Sequence, residues 1–336
     1  MDIKQLRNFL AVFEEGSFSK AAARLHSTQP GVSVQIAALE KALNAKLFER
    51  HARGIKPTAA GRKLHQHAVQ ILHDTNQAAD EIRRLSGALS GTIAAGIPPT
   101  LSKAILAPVL TDYVEHHRNV GIRIVEAYST TLIGLLESRE LDFAFVTHVP
   151  DHPALKFIPV YQDRFVLVSG KKLGLDPRKP ARLDRPPYLK LVIPSLRHGL
   201  HRLLDEPLQT RRIVPERLIE IDGLAGALEF ISTSEWAALL PVAAVFDHLD
   251  ELRLQVNRIA GDEIRINYFM AHVATEPMPP AAEAFVKVAR RELNRMTKHW
   301  AASGGASRPW SAASARPGGR RRRLNSPAAR ARRSRA

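Results

Sequence analysis

Two adjacent stretches near the N-terminus decide the fold: Gly16–Leu25 has the sequence GSFSKAAARL, and Thr28–Ile36 has the sequence TQPGVSVQI. The first predicts a short helix whose three consecutive alanines let other helices approach closely. The second predicts another helix, with Thr28 as its N-cap and Pro30 in its first turn, where the missing N–H costs nothing. Two such helices joined by a tight turn are typical of a helix-turn-helix, whose second helix lies in the major groove of DNA.

The residues ahead of these stretches predict a third helix in the same small domain. Apolar residues recur there at the i, i+3, i+4 and i+7 spacing of one helix face, and Gly16 is expected to end the helix. The alternative to a DNA-binding domain is a plain three-helix bundle with a solvated polar face. The apolar residues that recur at this spacing along the predicted helix are Leu6, Phe9, Leu10 and Phe13.

The predicted DNA contacts are of two chemical kinds. Short polar groups on the outer face of the second helix are able to reach base edges. Basic residues in the turn that follows suit the phosphates beside the inserted helix. The predicted DNA-binding residues are Thr28, Gln29, Pro30, Ser33, Gln35, Arg50, Arg53 and Lys56.

The net charge of +16 lies at the two ends of the chain. Residues 1–65 contain 11 Lys and Arg against 5 Asp and Glu, and residues 301–336 contain 10 Arg and no acidic residue. Positive charge attracts phosphate, and the stretch between these ends is neutral. This distribution predicts two domains with different partners, of which the first binds double-stranded DNA.

Several classes of protein are excluded by what the sequence lacks. The chain has no cysteine, which excludes disulfides, thiolate metal sites and cysteine nucleophiles. It has no apolar signal core at its N-terminus and no apolar run long enough to cross a bilayer, so we expect a cytoplasmic protein without a membrane partner. It has no Gly-x-Ser-x-Gly, phosphate-loop or zinc-helix motif, so we expect neither an enzyme nor a cofactor.

Residues 58–88 predict one long helix, capped by Thr58. Apolar and small residues alternate four and three positions apart along it, which is the a/d pattern of a helix that pairs with another helix. We expect a homodimer through this linker helix; the alternative is that it packs against the following domain of its own chain. The pattern consists of Leu64, Ala68, Ile71, Thr75, Ala78, Ile82 and Leu85.

The N-terminal residues resemble the LysR-type transcriptional regulators. The match covers Phe9 through Gly61 and includes FSKAAARLHSTQPGVSVQIAALEKALNAKLFERHARGIKPTAAG, with Leu47–Arg50 and the Thr58-x-x-Gly61 spacing in the places where that family has them. The resemblance implies a winged helix-turn-helix, a linker helix and an effector-binding domain built like a periplasmic binding protein. It also implies a dimer or tetramer on DNA, and a contact with RNA polymerase if the protein is an activator.

Three positions of this region depart from the family. Val34 stands where Arg or Lys is usual, Asn44 replaces a usual Gly, and Gly31 replaces a usual Ala. We therefore expect DNA binding with an unusual preferred operator.

From about residue 90, predicted strands alternate with predicted helices, which is typical of α/β units around a mainly parallel sheet. By the resemblance, the chain crosses between two subdomains near Val160 and returns near Arg265. The predicted strands are Thr92–Ile97, Ile122–Glu126, Phe143–Val146, Phe165–Ser169, Lys190–Ile193, Arg217–Ile221 and Ile264–Ala274. The predicted helices are Ser102–His116, Thr131–Arg139, 199–208, 224–231 and Pro280–Lys298.

Hydroxyl groups follow several of these strands, each ahead of a predicted helix. Ligands of open parallel sheets bind outside the carboxyl ends of the strands, where helix N-termini offer free N–H groups. We therefore predict a cleft for a small polar or anionic effector; the alternative is that each hydroxyl caps its own helix. The predicted effector-binding residues are Pro99, Thr100, Ser129, Thr130, Thr147, Ser195, His198 and Gly223.

The pair His198 and His201 lies at an i, i+3 spacing that suggests a metal site. No carboxylate or third histidine follows at ligand spacing, so no metal is expected. We expect Arg197, His198 and His201 to form a basic rim. The family usually has Gly-x-Gly before the segment at Leu239–Pro241, and this chain has Ser232–Trp236 there instead.

The expected fold class is α/β overall, with an all-α N-terminal domain that carries a small wing. We expect the Arg-rich tail to be disordered, because its composition cannot bury a core. The expected units are the winged helix-turn-helix at 1–58, the linker helix at 59–89, effector subdomain I at 90–160 and 265–300, subdomain II at 161–264, and the tail at 301–336.

Together these features favour a sequence-specific transcriptional regulator controlled by a small effector that binds between two α/β subdomains. One alternative is an enzyme on a fold of the binding-protein type. A second is a non-specific architectural DNA binder driven by the basic ends. A third is a transport-associated solute binder, which would need a signal peptide.

Overall fold

The computed structural model describes residues 1–51, 54–84, 89–147, 152–196, 199–248 and 253–302. The first sixty residues form three helices and a two-stranded antiparallel hairpin, in which Glu49 lies opposite Lys56. This confirms the predicted winged helix-turn-helix. Its elements are α1 (Ile3–Glu15), α2 (Phe18–Arg24), α3 (Gln29–Leu43), β1 (Phe48–His51) and β2 (Gly54–Pro57).

The ends of these helices follow from capping residues. The side chain of Asp2 accepts a hydrogen bond from the Gln5 N–H at 2.8 Å, and Gly16 ends α1 with a φ of 58°, which is the left-handed region that favours glycine. Thr28 caps α3 through the Gly31 N–H, as predicted. The core between the helices is built from Leu6, Phe9, Val12, Ala21, Ala22, Val32, Ile36, Leu39 and Leu47.

The long helix α4 spans Ala59–Arg84 and confirms the predicted linker helix over these residues. Thr58 caps it by accepting the Gly61 N–H at 3.0 Å, and the Thr58 hydroxyl donates to the Lys46 carbonyl at 2.6 Å. This cap therefore joins the start of α4 to the segment that leads into the wing. Leu85, the last residue of the predicted a/d pattern, lies outside the described residues.

The rest of the described chain is an α/β structure with nine strands in one sheet. The strands are β3 (Gly91–Ile97), β4 (Val120–Glu126), β5 (Phe143–Val146), β6 (Leu155–Gly170), β7 (Lys190–Ile193), β8 (Arg217–Glu220), β9 (Trp236–Pro241), β10 (Leu254–Arg258) and β11 (Arg265–Val273). The helices are α5 (Pro99–His116), α6 (Ser129–Glu137), α7 (Arg202–Gln209), α8 (Leu224–Thr233) and α9 (Pro280–Ala302), with 3-10 turns at Lys171–Leu173 and Val242–His248.

The sheet has the order β4-β3-β5-β11-β6-β9-β7-β8, with β10 paired to β6. Strands β3, β4 and β5 are parallel to one another and, with α5 and α6, form what we term lobe I. Strands β7, β8 and β9 are also mutually parallel and, with β10, α7 and α8, form lobe II. Strands β6 and β11 run between the lobes, because β6 pairs with β11 up to Arg164 and with β9 from Phe165 onward.

The directions of these strands place the cleft. β11 is antiparallel to both β5 and β6, so β6 leaves lobe I in the direction of β5. β9 is antiparallel to β6, so the strands of lobe II run back toward lobe I. The carboxyl ends of both parallel sets therefore meet at the junction between the lobes, where ligands of open α/β sheets bind.

Several predicted boundaries were wrong. The strand predicted at Phe165–Ser169 begins ten residues earlier, at Leu155, because its first half is ordered by pairing with β11. Helix α5 begins at Pro99 and not at Ser102, and α6 begins at Ser129 and not at Thr131. The hydroxyl residues predicted ahead of these helices therefore lie in their first turns.

Candidate functional sites

The outer face of α3 is the first candidate site. Val32, Ile36 and Leu39 turn inward and are buried, which leaves the opposite face of the helix to solvent. Of the predicted contact residues on this helix, those at its N-terminus (Thr28, Gln29 and Pro30) are exposed, whereas Ser33 and Gln35 are half-buried on its flanks. Val34, which was not among the predicted contacts, also lies on the outer face and is 64% exposed.

The wing lies next to α3 and carries the predicted basic residues. Lys56 is exposed on β2, while Arg53 and the side chain of Arg50 lie outside the described part of the chain. Glu40, near the end of α3, fixes the wing by accepting the Leu47 N–H at 2.8 Å and the Lys46 ammonium at 2.7 Å. Burial raises the pKa of the Glu40 carboxyl, but these hydrogen bonds outweigh it, so the pKa is lowered overall.

The junction between the lobes is the second candidate site, and hydroxyl groups of lobe I meet there. The Thr100 hydroxyl lies 3.0 Å from the hydroxyl of Tyr268 on β11. The Ser129 hydroxyl accepts the Thr147 N–H at 2.9 Å and lies 3.1 Å from the Thr147 hydroxyl. Neither α5 nor α6 has a side-chain N-cap, so Thr100 and Ser129 link separate strands and do not cap their own helices.

The lobe II side of the junction is organised by Asp222, which follows β8 and was not among the predicted site residues. Its carboxylate accepts the Ser195 N–H at 2.8 Å and the Ser195 hydroxyl at 2.9 Å. The sequence signal for Asp222 was its place between a strand and Gly223. Its contact with Ser195 depends on the pairing of β7 with β8, because 27 residues separate the two along the chain.

A hydrogen bond crosses directly from lobe I to lobe II. The hydroxyl of Tyr128, the residue before α6, donates to the main-chain carbonyl of Asp222. Burial raises the pKa of the Tyr128 hydroxyl, and the negative charges of Asp222 and Glu126 raise it further, so this group remains a neutral donor. Asp222 therefore contacts Ser195 through its side chain and the opposite lobe through its backbone.

The space around the hydroxyl groups of the junction is small in this conformation. A cavity of about 10 Å³ lies among Thr100, Tyr128, Ser129 and Thr147, and a neighbouring one of about 30 Å³ is lined mostly by aliphatic side chains. Each is close to the volume that one water molecule needs. A wider, open cleft of about 640 Å³ adjoins them and includes Pro99 and Gly223 in its lining.

The remaining predicted effector residues are placed differently. Thr130 is exposed on α6, and His198 and Arg197 lie outside the described residues. His201 was expected on a basic rim, and that is wrong. Its ring is buried, with Nδ1 donating to the Pro194 carbonyl at 2.7 Å and Nε2 3.1 Å from the Asp205 carboxylate. In the part of the chain that is described, no group of three or more His, Asp or Glu side chains is placed to bind a metal ion.

The strands that join the lobes contain a buried charged group. Asp163 on β6 accepts the Arg164 N–H at 2.7 Å and the Ala243 N–H at 2.9 Å, which ties β6 to the 3-10 turn after β9. Burial raises the pKa of the Asp163 carboxyl to about 6, although both backbone hydrogen bonds oppose the change. Tyr161 and Tyr268 stack beside it with their ring centroids 5.8 Å apart.

Protein-family models match both halves of the chain. The model described as "Bacterial regulatory helix-turn-helix protein, lysR family" matches residues 3–62, and the model described as "LysR substrate binding domain" matches residues 86–294. In the described residues, no helix combines the length and apolar character needed to cross a membrane.

Curated relatives and solved structures agree with these matches. The transcriptional regulator YofA of Bacillus subtilis (strain 168) is 31% identical over 245 residues, which cover 73% of this chain and 83% of YofA. The nitrogen assimilation regulatory protein nac of Escherichia coli (strain K12) is 26% identical over 285 residues, which cover 84% and 92% of the two chains. The structure of full-length CbnR complexed with its target DNA has a TM-score of 0.63 at 22% identity, and the match covers 87% of this chain and all of CbnR.

Proposed function

Because the chain belongs to the LysR family of DNA-binding transcriptional regulators, we propose that it binds its operator through α3 and the wing and that a small polar or anionic effector between the lobes controls this binding. The observation that carries the proposal is the meeting of both sets of strand ends at one junction, which the hydrogen bond from Tyr128 to Asp222 spans. The family consists of regulators and not of enzymes, and the relatives named above are transcriptional regulators.

The proposed DNA surface consists of the N-terminal half of α3 and the wing. Gln29 is the polar side chain best placed for base contact, because it is exposed in the first turn. Lys56 supplies a phosphate contact beside it. The likeness to CbnR, which was solved with its target DNA, supports this choice of surface through the shared fold.

The proposed effector site lies between the lobes, and the open cleft at Pro99 and Gly223 is its entrance. An effector larger than a water molecule must separate the lobes to reach Thr100 and Ser129, because the space there is only about 10 Å³. Separation breaks the hydrogen bond from Tyr128 to Asp222. Effector binding is thereby linked to the relative position of the lobes, which is how a ligand that prefers one of two conformations shifts their populations.

We further propose that the protein works as a homodimer through α4, with assembly into a tetramer on DNA. Ile82 supports this, since it is an apolar side chain of the predicted a/d pattern and is 70% exposed in the single chain. One α3 reads few base pairs, so two joined copies are needed for selectivity. The proposed setting is the cytoplasm, with RNA polymerase as a further partner if the protein is an activator.

The proposed units follow the expected division of the chain. They are the DNA-binding domain at 1–58, the linker at 59–89, subdomain I at 90–160 and 265–300, subdomain II at 161–264, and the Arg-rich tail at 301–336. The change of partner along β6, at Phe165, lies close to the proposed crossing between the subdomains.

The experiment that tests this function is selection of random duplexes by the purified full-length protein at physiological salt, against an excess of bulk genomic DNA. We expect one enriched motif, with two half-sites about one helical turn apart. Gln29→Ala should reduce the preference for that motif by about tenfold. The melting temperature should not change, because the side chain is exposed. Equal binding of selected and bulk DNA would favour a non-specific architectural binder instead.

A further inference from the structure

The outer face of α3 has an apolar side chain at its centre. Val34 is two residues, or about 200° of helical rotation, from the buried Val32, and it is therefore nearly opposite the core. Pro30, one turn earlier, and Lys41, two turns later, lie on the same exposed face. Val34 is thus an exposed apolar side chain on this face, between a proline and a lysine.

The surroundings of Val34 show what it is able to contact. Ser33 and Gln35 flank it with polar groups, and the first 65 residues carry an excess of positive charge. This positive charge attracts a polyanion to the face, but the apolar side chain of Val34 makes no favourable contact with a phosphate group. In a major groove it needs an apolar partner, and the groove offers one apolar group: the C5-methyl group of thymine.

Given the proposed function, we propose that Val34 is a specificity-determining residue that packs against a thymine methyl group in each operator half-site. The contact selects an A·T pair at one fixed position and adds no hydrogen bond. Uracil at that position presents the same O4 acceptor as thymine and lacks only the methyl group, so it isolates the contact that we assign to Val34.

The test combines one change in the DNA with one change in the protein, made separately and together. Each thymine of the selected operator is replaced in turn by deoxyuridine, and the Kd is measured for the wild-type protein and for Val34→Ala. We expect one thymine per half-site at which deoxyuridine weakens wild-type binding about fourfold, the effect of losing one buried methyl group. At that position, Val34→Ala should bind thymine and uracil equally well.

Two further variants provide controls. Val34→Thr keeps one methyl group in the same shape and should retain part of the discrimination between thymine and uracil. Val114→Ala changes another exposed valine, on α5 and outside the DNA-binding domain, and should leave the whole deoxyuridine profile unchanged. Melting curves of all variants check the fold, which truncation of an exposed side chain should not disturb.

The inference is overturned if no thymine methyl group affects wild-type binding, or if Val34→Ala keeps the wild-type response to deoxyuridine. Failure of the proposed function is a different result, because a protein that selects no operator at all provides no profile to compare. Selection of an operator followed by a deoxyuridine response that is independent of Val34 refutes only the role of this residue.

Discussion

Asp163 shows how one residue links burial, charge and stability. Its carboxylate is buried, and two backbone N–H groups hold it between β6 and the turn after β9. Desolvation disfavours the charged form more strongly than these hydrogen bonds favour it, so the pKa is raised to about 6. At neutral pH the Asp163 carboxyl is ionised, and the fold is therefore less stable than it would be with this carboxyl protonated.

We expect Asp163→Asn to remove this pH dependence. The native pKa lies above the unfolded value of about 4, so the native state binds more protons between these two values. The stability contributed by Asp163 is fully present below pH 4 and is lost as the pH rises through 6, by about 3 kcal/mol. The free energy of unfolding, measured with urea from pH 4 to pH 7.5, should fall relative to the asparagine variant by most of this amount, because the unfolded carboxyl is already partly ionised at pH 4.

The variant also has a cost that does not depend on pH. An asparagine amide has one acceptor oxygen for two N–H groups, so one of the backbone donors loses its partner, at about 1–3 kcal/mol. This cost shifts the unfolding free energy of the asparagine variant by the same amount at every pH. It does not change the difference in pH dependence between the two proteins. A difference between the two proteins that stays constant from pH 4 to pH 7.5 would show that Asp163 is not the titrating group.

At the scale of elements, Gly61 allows the start of α4 to lie close to Leu47, in the segment that leads into the wing. A β-carbon at this position would lie 2.2 Å from the Leu47 carbonyl oxygen, a main-chain atom of a buried residue. We expect Gly61→Ala to push α4 away from the wing segment and to lower the stability of the N-terminal domain by about 1–3 kcal/mol. Thermal unfolding measures this loss, and operator affinity should fall with it.

A matched control for this prediction is Gly134→Ala. Gly134 is also helical, on α6, but a β-carbon there meets no atom within 4 Å. Alanine is the better helix former, so this variant should be neutral or more stable by up to about 1 kcal/mol. Similar losses of stability in both variants would mean that Gly61 is required for a reason other than the contact with Leu47.

The elements that the sequence predicted well are those whose signals are local. Thr28 and Thr58 each lie three residues before the N–H that they accept, so both helix starts were readable from a few neighbouring residues. In β6, by contrast, only the buried second half is recognisable in the sequence as an apolar run, and only this half was predicted as a strand. Its first half is paired with β11, about 100 residues later, and no local pattern marks a partner so distant in the chain.

The same reasoning applies to the candidate site of the whole molecule. The sequence placed hydroxyl residues at strand ends, but it did not show that they would bond to one another. Thr100 meets Tyr268 from 168 residues away, and Ser195 meets an aspartate from the neighbouring strand. These partners depend on strand order, and the closed junction depends in addition on how the two lobes come together.

The closure of the lobes leads to the prediction for the molecule as a whole. Tyr128→Phe removes the hydroxyl that donates to the Asp222 carbonyl and keeps the ring in place. A hydrogen bond of this kind contributes about 0.5–1.5 kcal/mol, so the population of open molecules should rise about two- to tenfold. Hydrogen exchange at residues 128–130 and 222–224 should accelerate by that factor, because these amides lie on the two sides of the junction.

Tyr188→Phe, a change at an exposed tyrosine, should alter neither segment, and α1–α3 should exchange at the wild-type rate in both variants. Exchange in Tyr128→Phe that matches the wild-type protein on both sides of the junction would mean that other contacts hold the lobes closed.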